Sequence, residues 1–458
     1  MSSSSFTRRQ RRTVVALVGA TIGVLGLLTG CIVTSARNIK GAAPPPTSTY
    51  ASLPPTPSPP STPRPAVDIE EGVLSQVQAA RLFYQIAHQV EVLRELAPRA
   101  QEPLSFLDAR EMAAQVQQVH VNRDPESQLF PYMALGLLPE VAVRVRAPQV
   151  AGFYVPELDQ LYIASDREGS SLDDQALLAH AYAYALQDQN FDLESLDARA
   201  MTTDARLAVQ ALVEGDATLL TARYRYGDPA LADWDALAAL VSSGAQTSYG
   251  SDIDDVEAWK QVQGFPYWEG PMFADTLYRA GGWGALNAAY TDPPRSTEHI
   301  LHPDRYLEER DMPALIAVPS LEPVLGDEWT LVLEDTLGEL VAGLYLATAI
   351  PEHTAWQAVD GWDGDTFVVW EYQGGGRIQV WRTFWDNTAE ADEYEQAMVS
   401  LITRRFYPVE PIDPRRGLGG RWWQASSGGL YLRRVGRYVT FVQAPDVNSL
   451  MNVLGLLP

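Results

Sequence analysis

Residues 176–193, Ala-Leu-Leu-Ala-His-Ala-Tyr-Ala-Tyr-Ala-Leu-Gln-Asp-Gln-Asn-Phe-Asp-Leu, put His180 and Tyr184 one helical turn apart, on one face of a helix. An imidazole can hold a metal or pass a proton, and a phenol can donate a hydrogen bond or ligate as phenolate. Asp188 lies two turns beyond His180 and offers a carboxylate base, although its place in Leu-Gln-Asp-Gln-Asn also suits helix-end hydrogen bonding. Glu214 interrupts the apolar run Ala211-Leu-Val-Glu-Gly-Asp-Ala217, where a buried acid needs a partner. His299 and His302 stand three apart around Ile300-Leu301 and suggest a metal pair. Pro303 follows at once, so a helix ends there and the pair would need a loop geometry. His88, His120 and His353 are scattered and read as structural or exposed. The chain contains no Ser–His–Asp arrangement, phosphate-binding glycine loop or CxxC pair.

The helical segment resembles the active-site helix of bacterial secreted zinc metallopeptidases of the gluzincin-like H-E-x-x-H type. In that motif two histidines hold the metal and the glutamate after the first polarises the attacking water. Here Ala181 stands at the glutamate position and Tyr184 at the second histidine position, leaving H-A-x-x-Y. Further segments match in order: the Gly152-Phe-Tyr hairpin, Val213-Glu-Gly-Asp-Ala217, Ser296-Thr-Glu-His-Ile-Leu-His-Pro-Asp-Arg-Tyr306, and Val380-Trp-Arg-Thr-Phe-Trp-Asp386. The resemblance implies a zincin-like fold with Glu214, thirty residues after Tyr184, at the third-ligand position and facing His180. That pair is either a residual metal site or a hydrogen-bonded couple left after zinc was lost, with the Tyr184 hydroxyl joining it. Zinc sites normally take three protein ligands, which favours the second. Ala181 cannot exchange a proton with water, which removes roughly 10²–10⁴ in rate. The resemblance also implies that Glu298, His299 and Arg305 face a substrate cleft. Capping of a short helix by Ser296 explains the same residues.

The elements that must carry these groups are legible from periodicity. Apolar residues at spacings of three and four predict helices over 71–97, 108–118 and 126–137. A strand is expected over 141–145, then a hairpin over 152–163 turning at 156–160. Ser170 or Ser171, with Asp173 and Asp174, caps the His180 helix, which is apolar on every side from Ala176 to Leu186 and should be buried. A second helix covers 203–224. The pattern loosens over 313–323. Beyond it come a helix at 336–349, strands at 366–372 and 377–384 joined by Gln373-Gly-Gly-Gly376, and a helix from Asn387 or Thr388 to about 404. Strands at 429–434 and 437–443 and a terminal helix from 447 complete the chain. The expected fold class is α+β: a predominantly helical zincin-like domain with a short hairpin or edge strand over 67–320, then a small α+β domain over 325–458. Of twelve tryptophans, Trp362, Trp370, Trp381, Trp385, Trp422 and Trp423 fall in the second. They either stack on sugars or peptides or, the favoured reading, pack its core.

The N-terminus predicts where the chain resides. Arg8, Arg9, Arg11 and Arg12 precede an apolar run, Val14 to Leu28, ending in Leu28-Thr-Gly-Cys31. This has the layout of a secretory signal and resembles a bacterial lipobox, with Cys31, the sole cysteine, as the lipidated residue. The alternative is a membrane-spanning anchor over Thr13–Val33. Residues 32–66 read as a tether; their Pro/Ser/Thr-rich core from Gly41 to Ala66 reaches up to ~80 Å from the membrane. Removing the four signal arginines from the formal charge of −24 leaves −28, which excludes nucleic acid as a partner.

Together these features predict a membrane-anchored extracytoplasmic protein with a disabled site. The leading expectation is a pseudo-metallopeptidase that binds peptide, protein or cell-wall ligands through the inherited cleft. One alternative is an active hydrolase with an altered zinc site built from His180, Tyr184 and Glu214; the other is a purely structural lipoprotein. No cofactor is expected, and zinc is the one candidate. An open groove lined by Tyr184, Glu214 and His299 would support binding, and a packed interior would support scaffolding.

Overall fold

A computed structural model describes residues 76–122, 125–141, 152–165, 171–243, 251–308, 310–412 and 419–457. The signal, Cys31, the tether, Ser170 and nearly all of the strand expected over 141–145 lie outside them. Among the described residues no helix is long and apolar enough to cross a membrane.

The first helix, α1 (Gln76–Arg94), turns Leu82, Phe83, Ile86, Ala87 and Val90 inward, as its spacing requires. Strand β1 (Leu104–Leu107) leads to α2 (Ala109–Asn122) and α3 (Pro125–Ala134). The expected hairpin forms from β2 (Gly152–Val155) and β3 (Gln160–Ala164) around the turn Pro156–Leu158. Asp159 takes the left-handed conformation that reverses the chain. β1 adds to this hairpin in parallel, Leu104 opposite Leu161, giving a three-stranded sheet in the order β1-β3-β2. Four residues without alternation hid β1 from a periodicity reading.

Helix α4 (Leu172–Phe191) carries His180. Ser171 Oγ accepts the Asp174 amide at 3.0 Å, and Asp173 and Asp174 complement the positive end of the helix dipole. After α5 (Leu193–Ala198) comes α6 (Thr203–Tyr226), capped by Thr202 and carrying Glu214. Both α4 and α6 are apolar nearly all round because each is enclosed by other elements. Beyond α7 (Trp234–Ser243) and α8 (Ser251–Asp254) runs α9 (Glu257–Thr291), broken at Gly281 and Gly282. α9 lies along α6 at backbone contact: a Cβ on Gly215 would overlap the Gly270 carbonyl, and one on Gly270 would overlap that of Ala211. Short helices α10 (Thr297–Leu301), α11 (Pro303–Leu307) and α12 (Glu322–Leu325) complete this half.

The remainder is α+β, as expected, but with a larger sheet. β4 (Trp329–Asp335), α13 (Gly338–Ala347), α14 (Glu352–Gln357), β5 (Trp362–Tyr372), β6 (Arg377–Trp385) and α15 (Thr388–Arg405) come first. β7 (Val409–Ile412), β8 (Arg421–Ala425), β9 (Gly428–Val435), β10 (Tyr438–Ala444) and α16 (Val447–Leu454) follow. The seven strands pair antiparallel in the order β4-β5-β6-β10-β9-β8-β7. Periodicity shows neither β4, whose outer face is solvated, nor β7, a short edge strand interrupted by Pro411.

Alternation along the strands sorts the two faces. Phe367, Val369 and Trp381 join α13 and α15 in a core that runs without a break into the helical half. Val368, Trp370, Val380 and Trp422 face α16 in a second core. Trp362, Trp370, Trp381, Trp385, Trp422 and Trp423 are all buried, so these six pack the core and none of them offers a stacking platform.

Candidate functional site

His180 on α4 and Glu214 on α6 meet across the helix pair, with His180 Nε2 3.3 Å from Glu214 Oε2. The Thr221 hydroxyl donates to the Ala217 carbonyl at 2.6 Å, so its oxygen is left to accept from His180 Nδ1 at 3.2 Å. That bond sets the tautomer, with the proton on Nδ1 and Nε2 turned to the carboxylate. The Tyr184 and Tyr267 hydroxyls both hydrogen-bond to Glu214. Burial, reinforced by the Glu214 charge, holds both phenols well above their usual range, and so in the neutral form. Glu214 is 1 % exposed, and among the described residues its Oε2 has no hydrogen-bond partner.

Zinc fits this donor set poorly. Two groups, His180 Nε2 and Glu214 Oε2, point at one another, and the third position is a neutral phenol already bonded to Glu214. A catalytic zinc takes three protein ligands and an open fourth position. Ala181 is 4 % exposed and belongs to the apolar core.

The remaining site residues sit elsewhere. Asp188 is occupied at the helix end: Oδ2 accepts from Tyr154 Oη at 2.8 Å and Oδ1 from the Leu193 amide at 2.9 Å. Ser296 caps α10 through the His299 amide. His299 is fully buried, and both its ring nitrogens are used. Nδ1 accepts from the Arg295 amide at 3.1 Å, so Nε2 carries the proton and donates to the Asp311 carbonyl at 2.5 Å. Burial holds its pKa below the usual histidine value. His299 therefore does not pair with His302, and its ring is held by Arg295 and Asp311 while Glu214 is held by His180, Tyr184 and Tyr267. Glu298 is buried, and its Oε1 accepts a hydrogen bond from Arg305 Nη1. Burial pushes the Glu298 carboxyl up to about 9, and Arg305 offsets only part of that.

Sequence reasoning missed Thr221 and Tyr267, whose roles exist only once α6 and α9 lie side by side. It also missed Asp204, which is buried at the α6 N-terminus. Asp204 Oδ1 accepts from the Thr297 amide at 2.7 Å and from its hydroxyl at 2.6 Å. Burial raises this carboxyl to about 8 despite those bonds. Thr203 in turn donates to Asp335 through its amide and its hydroxyl, joining α6 to the end of β4. An acid directly after a helix cap ordinarily reads as a dipole partner, so nothing in the sequence marks Asp204 as buried.

Residues 330–454, the span from β4 to α16, match the model of a family described as a domain of unknown function (DUF8575). No curated protein and no solved structure matches the chain. His180 and Glu214 lie outside the matched span.

Proposed function

We propose that this chain is a membrane-anchored extracytoplasmic pseudo-metallopeptidase: a zincin-like helical arrangement, without peptidase activity, whose inherited site serves as a polar core of a surface scaffold. The observation that carries this reading is the enclosure of Glu214. Its carboxylate is 1 % exposed and engaged by His180, Tyr184 and Tyr267, while Ala181 sits in apolar packing where a general base would be required. The anchor rests on the basic, apolar and Leu-Thr-Gly-Cys31 segments of the N-terminus.

A second reading retains a metal shared by His180 and Glu214 without hydrolysis. The observation favouring it is Glu214 Oε2, which lies 3.3 Å from His180 Nε2 and makes no hydrogen bond among the described residues.

The test is peptide hydrolysis by the full-length chain with and without added zinc, beside His180→Ala. Equal background rates in both proteins are expected. Hydrolysis that depends on His180 overturns the proposal. Incorporation of labelled fatty acid, lost in Cys31→Ser, is the expected result for the anchor.

A further inference from the structure

A second histidine–carboxylate cluster lies where the helical half meets the seven-stranded sheet. His302 closes α10 and precedes Pro303 of α11, Glu339 is in the first turn of α13, and Asp360 lies between α14 and β5. His302 Nε2 is 3.0 Å from Glu339 Oε1 and 3.6 Å from Asp360 Oδ1. The ligand atoms of all three residues lie within 4.8 Å of one another. We propose that His302, Glu339 and Asp360 form a zinc site.

Three observations support it. Zinc bonds of ~2.0–2.2 Å in tetrahedral geometry put neighbouring ligand atoms about 3.3–3.5 Å apart. The two separations from His302 bracket that spacing, and the two carboxylates must come within it from a separation of at most 4.8 Å. Secondly, the Glu339 side chain is 3 % exposed, and its Oε2 has no hydrogen-bond partner among the described residues. A buried, unpaired carboxylate oxygen is costly unless something positive approaches it. Thirdly, charge around the cluster is unbalanced. Arg305 is shared by Asp360, Asp386 and the buried Glu298 and also acts on Glu339, with His302 as the other basic side chain beside Glu339. A divalent ion would correct that deficit.

The donor set selects the metal. An imidazole nitrogen with two carboxylates suits zinc better than calcium or magnesium, which take oxygen alone. Asp360 is on the solvent side, its side chain 66 % exposed, so water can complete the coordination. The ion would tie the α10–α11 turn to α13 and to the segment entering β5.

The ligands are distinct from His180 and Glu214, so this site stands or falls apart from the reading above. Metal-stripped full-length chain is titrated with zinc by calorimetry. One equivalent that survives His180→Ala is expected, with affinity at least tenfold weaker in His302→Asn and Glu339→Gln. Because Glu339 is buried, Asp360→Asn provides the check on folding. It should melt as the wild type does without metal, yet bind zinc at least tenfold more weakly and lose the zinc-induced rise in melting temperature. No zinc uptake by the wild type, or uptake unchanged in both His302→Asn and Asp360→Asn, overturns the assignment.

Discussion

Arg94 grips Asp216 through two parallel hydrogen bonds, Nε to Oδ1 at 2.7 Å and Nη2 to Oδ2 at 3.0 Å, in full burial between α1 and α6. Asn287 and Tyr290 of α9 complete the cluster, and the guanidinium lies over the Trp283 ring. Asp216 follows Glu214 by two residues, so one turn of α6 carries two buried acids with separate partners. Arg94→Met should cost roughly 3–5 kcal/mol, because it strands the Asp216 charge. Arg94→Met with Asp216→Leu should recover much of that loss. Urea unfolding of the two variants gives the comparison, and a double variant no more stable than the single would count against charge as the cause.

Gly215 and Gly270 let α6 and α9 touch through their backbones. Gly215→Ala must separate the helices or distort them, at a cost near ~3 kcal/mol, the upper end for overpacking. The shift should also loosen Tyr267 from Glu214. A loss of stability in chemical denaturation, with a changed Tyr267 ring signal by NMR, is the expected outcome.

His180→Ala should destabilise the fold by about 1–3 kcal/mol, since it leaves the buried Glu214 carboxylate with one partner fewer. Installing an H-E-x-x-H sequence should not create a peptidase. Ala181→Glu with Tyr184→His places a new carboxylate in apolar packing, costing at least ~2 kcal/mol. Thermal melts should fall for both proteins, and zinc-dependent hydrolysis by the rebuilt one is the result that would contradict this expectation.

Stability should fall as pH rises from about 5 to 8. Asp204 is raised to about 8 and Asp365 to about 6, in both cases chiefly by burial. A carboxyl raised in the folded state holds its proton while the unfolded chain has already released one. Folding stability from such a group is complete below the unfolded pKa and is lost as pH rises through the folded one. The Asp204 contribution reaches at most ~1.4 kcal/mol per pH unit. Asp204→Asn keeps an oxygen for Thr297 but cannot ionise, so its melting temperature should depend less on pH across this window. An unchanged pH slope would show that Asp204 is not the group responsible.

What the sequence alone determined was local. The helix around His180, its Ser171 cap, the Pro156 hairpin turn, the α10 cap at Ser296 and the β5–β6 and β9–β10 hairpins follow from side-chain periodicity and turn residues acting over a few positions. The absence of a carboxylate at Ala181 is equally plain, because it is a matter of residue identity. Tertiary structure decided which charges meet. Asp216 finds Arg94 across 122 residues, Glu214 takes Tyr267, His299 turns away from the expected groove, and His302 reaches Glu339 and Asp360. Helix spacing sets which residues share a face, but the crossing of two helices sets which faces oppose each other. Here that crossing depends on two glycines, Gly215 and Gly270, far apart in the chain and meaningful only as a pair.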